Sequence, residues 1–162
     1  MSPLEHGILA PANDAKREEI IGLLKEAYWM EIETVMSYIA NSVNPDGVRA
    51  ENVIESLAAD IQEELGHAQQ YAQRIKDLGG TVPGSKEFSP AQDSLQPPAD
   101  SGNIVHVIKG VIEAEEGAID HYNKIIAATD EDPVTQDMVT AILADEEGHR
   151  RQFVGFLKEY EN

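Results

Sequence analysis

The sequence predicts an all-α protein, a four-helix bundle built as two antiparallel helix pairs joined by a long crossover. Three features predict it. Four segments carry apolar residues at alternating steps of three and four, the pattern of a helix with one buried face. The breaks between those segments run short, long, short, which pairs neighbours antiparallel and leaves one connection able to travel the length of a bundle. The second half also repeats the first: Glu31, Tyr38 and Glu64-Leu65-Gly66-His67 are answered by Glu115, Tyr122 and Glu146-Glu147-Gly148-His149.

One domain is expected over residues 1–162, a length suited to one core. Residues 1–12, with Pro3 and Pro11, read as a tail. The first helix is expected over about 14–42, and Asn44-Pro45-Asp46-Gly47 turns the chain. The second runs over about 48–78 and stops at Gly79-Gly80, a pair suited to a C-cap. Residues 81–102 hold Pro83, Pro90, Pro97 and Pro98, too many breaks for a long helix. The third helix covers about 103–129. Asp132 then caps a helix that carries Pro133 at its first position and runs over 133–160.

Each predicted core face contains a carboxylate at mid-length. The stripes are Ile20, Leu24, Ala27, Glu31, Thr34, Tyr38; then Ile54, Leu57, Ile61, Glu64, Ala68, Tyr71, Ile75, Leu78. The third is Ile104, Ile108, Val111, Glu115, Ala118, Tyr122, Ile125, and the fourth Met138, Ile142, Glu146, His149, Phe153, Phe156. Burying one unpaired carboxylate costs several kcal/mol, so four facing one another call for counter-ions. Removing one of the four is expected to relieve repulsion in the metal-free protein.

Two divalent cations supply the balance. Residues three apart on a helix share a face, so Glu64 with His67, and Glu146 with His149, can each address one ion. Glu31 and Glu115 complete a six-residue metal set. Two Glu-x-x-His pairs plus two further Glu is the ligand inventory of di-iron and di-manganese carboxylate bundles. Oxygen-rich ligation with one imidazole per metal suits iron, with manganese as the alternative; zinc takes fewer oxygens.

Composition narrows the function classes. The chain has no cysteine, which excludes disulfides, iron–sulfur clusters and a Cys₄ iron site. Redox chemistry would have to run on oxygen and nitrogen ligands. A net charge of −18 disfavours nucleic-acid binding, because Lys16-Arg17 and Arg150-Arg151 are isolated pairs among acids. No apolar run is long enough for a membrane span, and the start lacks the pattern of a signal peptide, so a cytoplasmic location is expected.

The phrases around Glu31 to Tyr38, Glu64-Leu-Gly-His-Ala-Gln, Glu115 to Tyr122 and Ile142 to His149 resemble the ferritin-like superfamily. Within it the chain is most similar to bacterioferritins and to Dps-like proteins with a bacterioferritin-type site, over residues 15–160. The resemblance implies that Glu64 and Glu146 bridge two irons, that Glu31 and Glu115 are terminal, and that His67 and His149 bind one iron each. It implies ferroxidase activity, Fe²⁺ being oxidised by O₂ or H₂O₂, with ferric mineral kept in a hollow homo-oligomeric shell for iron storage and detoxification. Haem is not expected, since bacterioferritins bind it through a Met at the position of Leu65. Only 13 residues follow His149, leaving no room for the family's fifth helix, so a dodecamer is favoured over a 24-mer.

Tyr38 and Tyr122 occupy matched places and are expected to donate to ligand carboxylates, as part of the catalytic set. Glu33, Glu63, Glu116 and Glu147 lie beside ligands in sequence but about 100° or more around the helix, and are expected in solvent. His6, His106 and His121 are expected to be non-ligands, and Trp29 an interface or core aromatic. Two other readings stand beside ferroxidase: a rubrerythrin-like peroxidase or manganese-catalase-like dimer without mineral, and a bundle in which metals serve only as a staple.

Overall fold

The computed structural model describes residues 7–161 as four long helices, with no strand among the described residues. They are α1 (Asp14–Val43), α2 (Glu51–Asp77), α3 (Ile104–Ala128) and α4 (Pro133–Tyr160). Helix α1 packs chiefly on α2, and α3 on α4, with α1 also against α3 and α2 against α4. No helix among the described residues is long and apolar enough to cross a membrane.

Each helix begins and ends within three residues of the stretch read from periodicity. Residues 48–50 form a 3₁₀ turn, so α2 starts at Glu51. It ends where Gly79 takes φ +87°, a left-handed conformation that glycine adopts without steric cost. Asp132 caps α4 by accepting from the Thr135 amide at 3.2 Å, and also accepts from Arg74 at 3.0 Å. The start of α4 is thereby tied to the end of α2.

The core is two apolar clusters separated by a polar layer. One holds Ile20, Leu24, Tyr71, Ile75, Tyr122, Ile125 and Ile142; the other holds Tyr38, Leu57, Ile108, Val111 and Phe153. Glu31, Glu64, Glu115 and Glu146 fall between these clusters along each helix and are 1–3 % exposed. Four predicted stripe positions differ: Ile54 and Ile61 are half-buried, because α2 turns Val53 and Leu57 further inward, and Met138 and Phe156 of α4 are half-buried too, beside the buried Val139 and Phe153. The N-terminal segment is also less of a tail than expected. From residue 7 it lies on the bundle, with Ile8 in the core and Arg17 donating to the Ile8 carbonyl at 3.0 Å. Pro3 and His6 lie outside the described residues.

Residues 81–102 cross the bundle as an irregular strap with 3₁₀ turns at Ser85–Glu87 and Asp93–Leu95. The strap is anchored at identifiable points. Glu33 is buried, contrary to expectation, because one of its oxygens accepts from the Ala91 and Gln92 amides at 2.8 Å each. Asn41 donates to the Leu95 carbonyl at 2.7 Å. At Gly110 a Cβ would stand 2.1 Å from the Ser94 carbonyl oxygen, so only glycine lets the strap lie this close to α3.

Candidate metal centre

All six predicted ligand residues converge in the polar layer. Two groups form there, Glu31, Glu64, His67 and Glu146, and Glu64, Glu115, Glu146 and His149. Within each, candidate ligand atoms lie within 4.8 Å of one another. Glu64 and Glu146 belong to both groups; Glu31 with His67, and Glu115 with His149, belong to one each.

The histidines present Nδ1 to the carboxylates. His67 Nδ1 lies 3.1 Å from Glu146, 3.6 Å from Glu31 and 3.6 Å from Glu64. His149 Nδ1 lies 2.9 Å from Glu64, 3.3 Å from Glu146 and 3.6 Å from Glu115. These are ion-pairing distances without hydrogen-bond alignment. Five buried inward atoms, Glu64 Oε1, His67 Nδ1, Glu115 Oε2, Glu146 Oε1 and His149 Nδ1, have no hydrogen-bond partner. Buried polar atoms are rarely left so, and a cluster of them, all metal-ligand types, fits a pair of cations. The space between the carboxylates is about 10 Å³, also bounded by Met30, Ala114 and Ala118.

The two tyrosines cross between hairpins. Tyr38 of α1 donates to Glu115 of α3 at 2.5 Å, and Tyr122 of α3 donates to Glu31 of α1. Tyr71, which the sequence placed only in the core stripe, stacks near Tyr122 at 5.5 Å between ring centres, its hydroxyl buried without a partner.

Protons do in the metal-free site what cations would do in the loaded one. Burial pushes Glu31 and Glu115 well above the usual carboxylate range, against the pull of His67 and His149, and neighbouring carboxylates push the same way. Burial opposes charge on the two imidazoles, but their carboxylate partners overcome it and raise both far above the ordinary histidine value. Burial would raise Glu64 and Glu146 too, yet both are held low by His149 and His67. Glu31, Glu115 and the two imidazoles are thus pushed toward holding protons and Glu64 and Glu146 toward losing them, shifts that reduce the net charge of the layer.

Outside this layer, three more acids reach the rings. Asp145 accepts from His67 Nε2 at 3.0 Å; Glu63 lies 3.3 Å and Asp60 3.7 Å from His149 Nε2. Sequence reasoning passed over Asp60 and Asp145 and placed Glu63 in solvent; Glu63 is exposed, but its tip turns back to the ring. The signal that could have found two of them is the repeat itself: Glu63 and Asp145 each stand one residue before a doubly shared glutamate. Burial, with Glu64 and Glu63 nearby and His149 opposing, pushes Asp60 up to about 6.

Glu116 and Glu147 are exposed as expected. His106 is on the surface, whereas His121 is buried and engages the Leu23 carbonyl at 2.9 Å. Neither belongs to either four-residue group. Trp29 packs edge-on against Phe88 of the strap. Beside it a cavity of about 520 Å³ opens between α1, α3 and the strap, and shares Met30 and Ala114 with the small space among the carboxylates.

Residues 21–162 match the family described as Ferritin-like domain. The chain is 29 % identical over 141 residues to the DNA protection during starvation protein of Pyrococcus furiosus, spanning 84 % of this chain and 75 % of that one. It is 24 % identical over 144 residues to a bacterioferritin of Desulfovibrio desulfuricans, spanning 87 % and 75 %. Among solved structures, a dodecameric thioferritin, the bacterioferritin-related protein from Bacteroides fragilis, superposes with a TM-score of 0.81. That pair is 25 % identical, with 90 % of this chain and 88 % of that chain covered.

Proposed function

From the premise that the chain belongs to the ferritin-like family, we propose that it is a di-iron ferroxidase that oxidises Fe²⁺ with O₂ or H₂O₂ and stores the product in a homo-oligomeric shell. The observation that carries this reading is the pair of four-residue groups sharing Glu64 and Glu146. Two metals held by a common pair of carboxylates sit close enough to act on one small oxidant. Glu31 and His67 would hold one metal, Glu115 and His149 the other, and Glu64 and Glu146 both. Iron bound there supplies the one-electron steps that protein side chains lack.

The rest of the site supports the same chemistry. Tyr38 and Tyr122 fix the orientation of Glu115 and Glu31. The apolar clusters above and below exclude water from the layer. Protons on Glu31, Glu115, His67 and His149 leave when cations arrive, so the site accepts charge without accumulating it. The cavity beside Trp29 and Met30 is the natural approach for Fe²⁺ and oxidant, and Glu26, Asp93 and Glu113 line it.

Assembly is supported by one surface. Met36, Ile39, Val43 and Val48 are 49–81 % exposed. From Thr34 to Pro45 the sequence has no charged residue, and Glu31 and Glu33 just before it are buried. In a chain of net charge −18 this is where a second copy can approach without repulsion. We assign a shell of about twelve subunits, by the family resemblance.

Fe²⁺ added to the apo-protein under air, then under H₂O₂ without air, is the test, with ferric absorbance and light scattering recorded together. Oxidation by a large oligomer that retains its iron is the expected result. A dimer that consumes peroxide without retaining iron would replace this reading with the rubrerythrin-like or manganese-catalase-like one. Binding without turnover would leave the metals as a staple.

A further inference from the structure

We infer that Asp145 and Glu63 are positioning residues that aim the two histidines at the metals, and that they do so unequally, His67 being the more firmly held. The inference rests on the two-metal reading above. An offset of one residue turns a helical side chain by about 100°, so Asp145 and Glu63 leave the carboxylate layer that Glu146 and Glu64 enter. Each then meets the ring of the opposite helix: Asp145 of α4 takes His67 of α2, and Glu63 of α2 takes His149 of α4. An imidazole donating from Nε2 keeps its Nδ1 lone pair for a metal, and a carboxylate on the far nitrogen fixes both tautomer and tilt.

The two halves are alike in plan and different in execution. Asp145 is a short side chain at 3.0 Å, within normal hydrogen-bond range. Glu63 has one more rotatable bond and stands at 3.3 Å, and the two side chains are about equally exposed, so length and distance separate them. Asp60 is 3.7 Å from the same nitrogen, its Oδ2 buried and unpartnered. His149 Nε2 is thus shared loosely by two acids, while His67 Nε2 has one acceptor at 3.0 Å, with a Glu63 oxygen farther off but within 4.8 Å of the ring. The metal position served by His67 is therefore the more rigid, although the six ligands are matched by the repeat.

Titration of the apo-protein with Co²⁺, followed by its visible d–d bands and by calorimetry, tests this without turnover. Wild type should bind two Co²⁺ per chain; failure here would remove the two-metal reading itself, before any variant is made. Asp145→Ala should weaken one of the two ions by about tenfold to a hundredfold and alter one band set. Asp145→Asn, whose side-chain oxygen still accepts from Nε2, should weaken it less. Glu63→Ala should have a smaller effect, chiefly on the other ion, because Glu63 is nearer His149 than His67. Glu147→Ala removes an exposed acid that neighbours Glu146 and should leave both affinities unchanged. Equal losses in Asp145→Ala and Glu147→Ala would reduce the effect to overall charge and overturn the inference, as would an Asn variant no better than Ala, or a larger loss from Glu63→Ala than from Asp145→Ala.

Discussion

The Tyr38 hydroxyl donates to Oε1 of Glu115 at 2.5 Å, joining residues 77 positions apart and in different hairpins. The partner bond from Tyr122 to Glu31 runs the opposite way between the same two helices. Both acids are buried, and each tyrosine takes up one carboxylate oxygen, leaving the other free for a cation in the proposed site.

Tyr38→Phe should accordingly leave Glu115 under-satisfied. Loss of a hydrogen bond to a buried, partly charged group costs about 1–3 kcal/mol. Thermal melts of the apo-protein should drop, and the initial rate of Fe²⁺ oxidation should fall, while two metals still bind. Unchanged melting would show that the tyrosine does not restrain the acid.

Metal loading should release protons. Glu31, Glu115, His67 and His149 are all raised in the folded state, so divalent ions binding there should displace protons from them. Calorimetric titration in buffers of different ionisation enthalpy measures the number. Release of fewer than two per metal pair would mean that the site is already deprotonated.

Apo stability should decline as pH rises. His67 and His149 have raised folded-state values, so their contribution is full below the unfolded value of about 6.5 and is lost as pH climbs toward the folded ones. Glu31 and Glu115, also raised, act in the same direction. Melting temperatures of the apo-protein should fall from pH 6.5 to 9. Saturating metal should abolish or reverse the slope, since ions and protons compete for the same atoms.

Glu64→Ala and Glu146→Ala should each abolish rapid Fe²⁺ oxidation, because each removes a carboxylate common to both metal positions. Counting only buried acids, one expects such variants to gain apo stability. The structure reverses that expectation: Glu64 and Glu146 are the counter-ions of His149 and His67, and are held ionised by them. Breaking a buried pair costs about 3 kcal/mol or more. The apo variants should melt below wild type at pH 6; melting above it would restore the simpler repulsion argument.

Gly110→Ala should detach the strap from α3, its Cβ meeting the Ser94 carbonyl at 2.1 Å. Overpacking of this kind costs about 1–3 kcal/mol. Hydrogen exchange at the Ala91 and Gln92 amides should speed up as their bonds to Glu33 loosen, while the metal ligands stay in place.

The ligands were legible because each predicted stripe sets an acid among apolar residues, and because the pattern occurs twice. Helix ends were legible where a specific conformation was required, as at Gly79 and Asp132. Glu33 was not, since its partners are backbone amides of the strap, a segment without periodicity to read. Ile54 and Ile61 were placed too deep, because helical spacing gives a stripe's direction and not how far a neighbour covers it. Contacts such as Asp145 with His67 join two helices at a register that spacing within one helix cannot supply.

Each hairpin carries Glu, Glu and His, yet each four-residue group borrows one acid from the other hairpin. Neither half of the chain contains a complete four-residue group, whereas two copies of either half would contain residues of all six types and places. The polypeptide thus has the logic of a symmetric dimer whose subunits have been joined end to end. In such a dimer the two positions would be identical by necessity. Fusion lifts that constraint, so one histidine can keep an aspartate at 3.0 Å while its counterpart makes do with a longer acid at 3.3 Å. The strap between Gly79 and Asn103 is the covalent link that would permit two metal positions to differ.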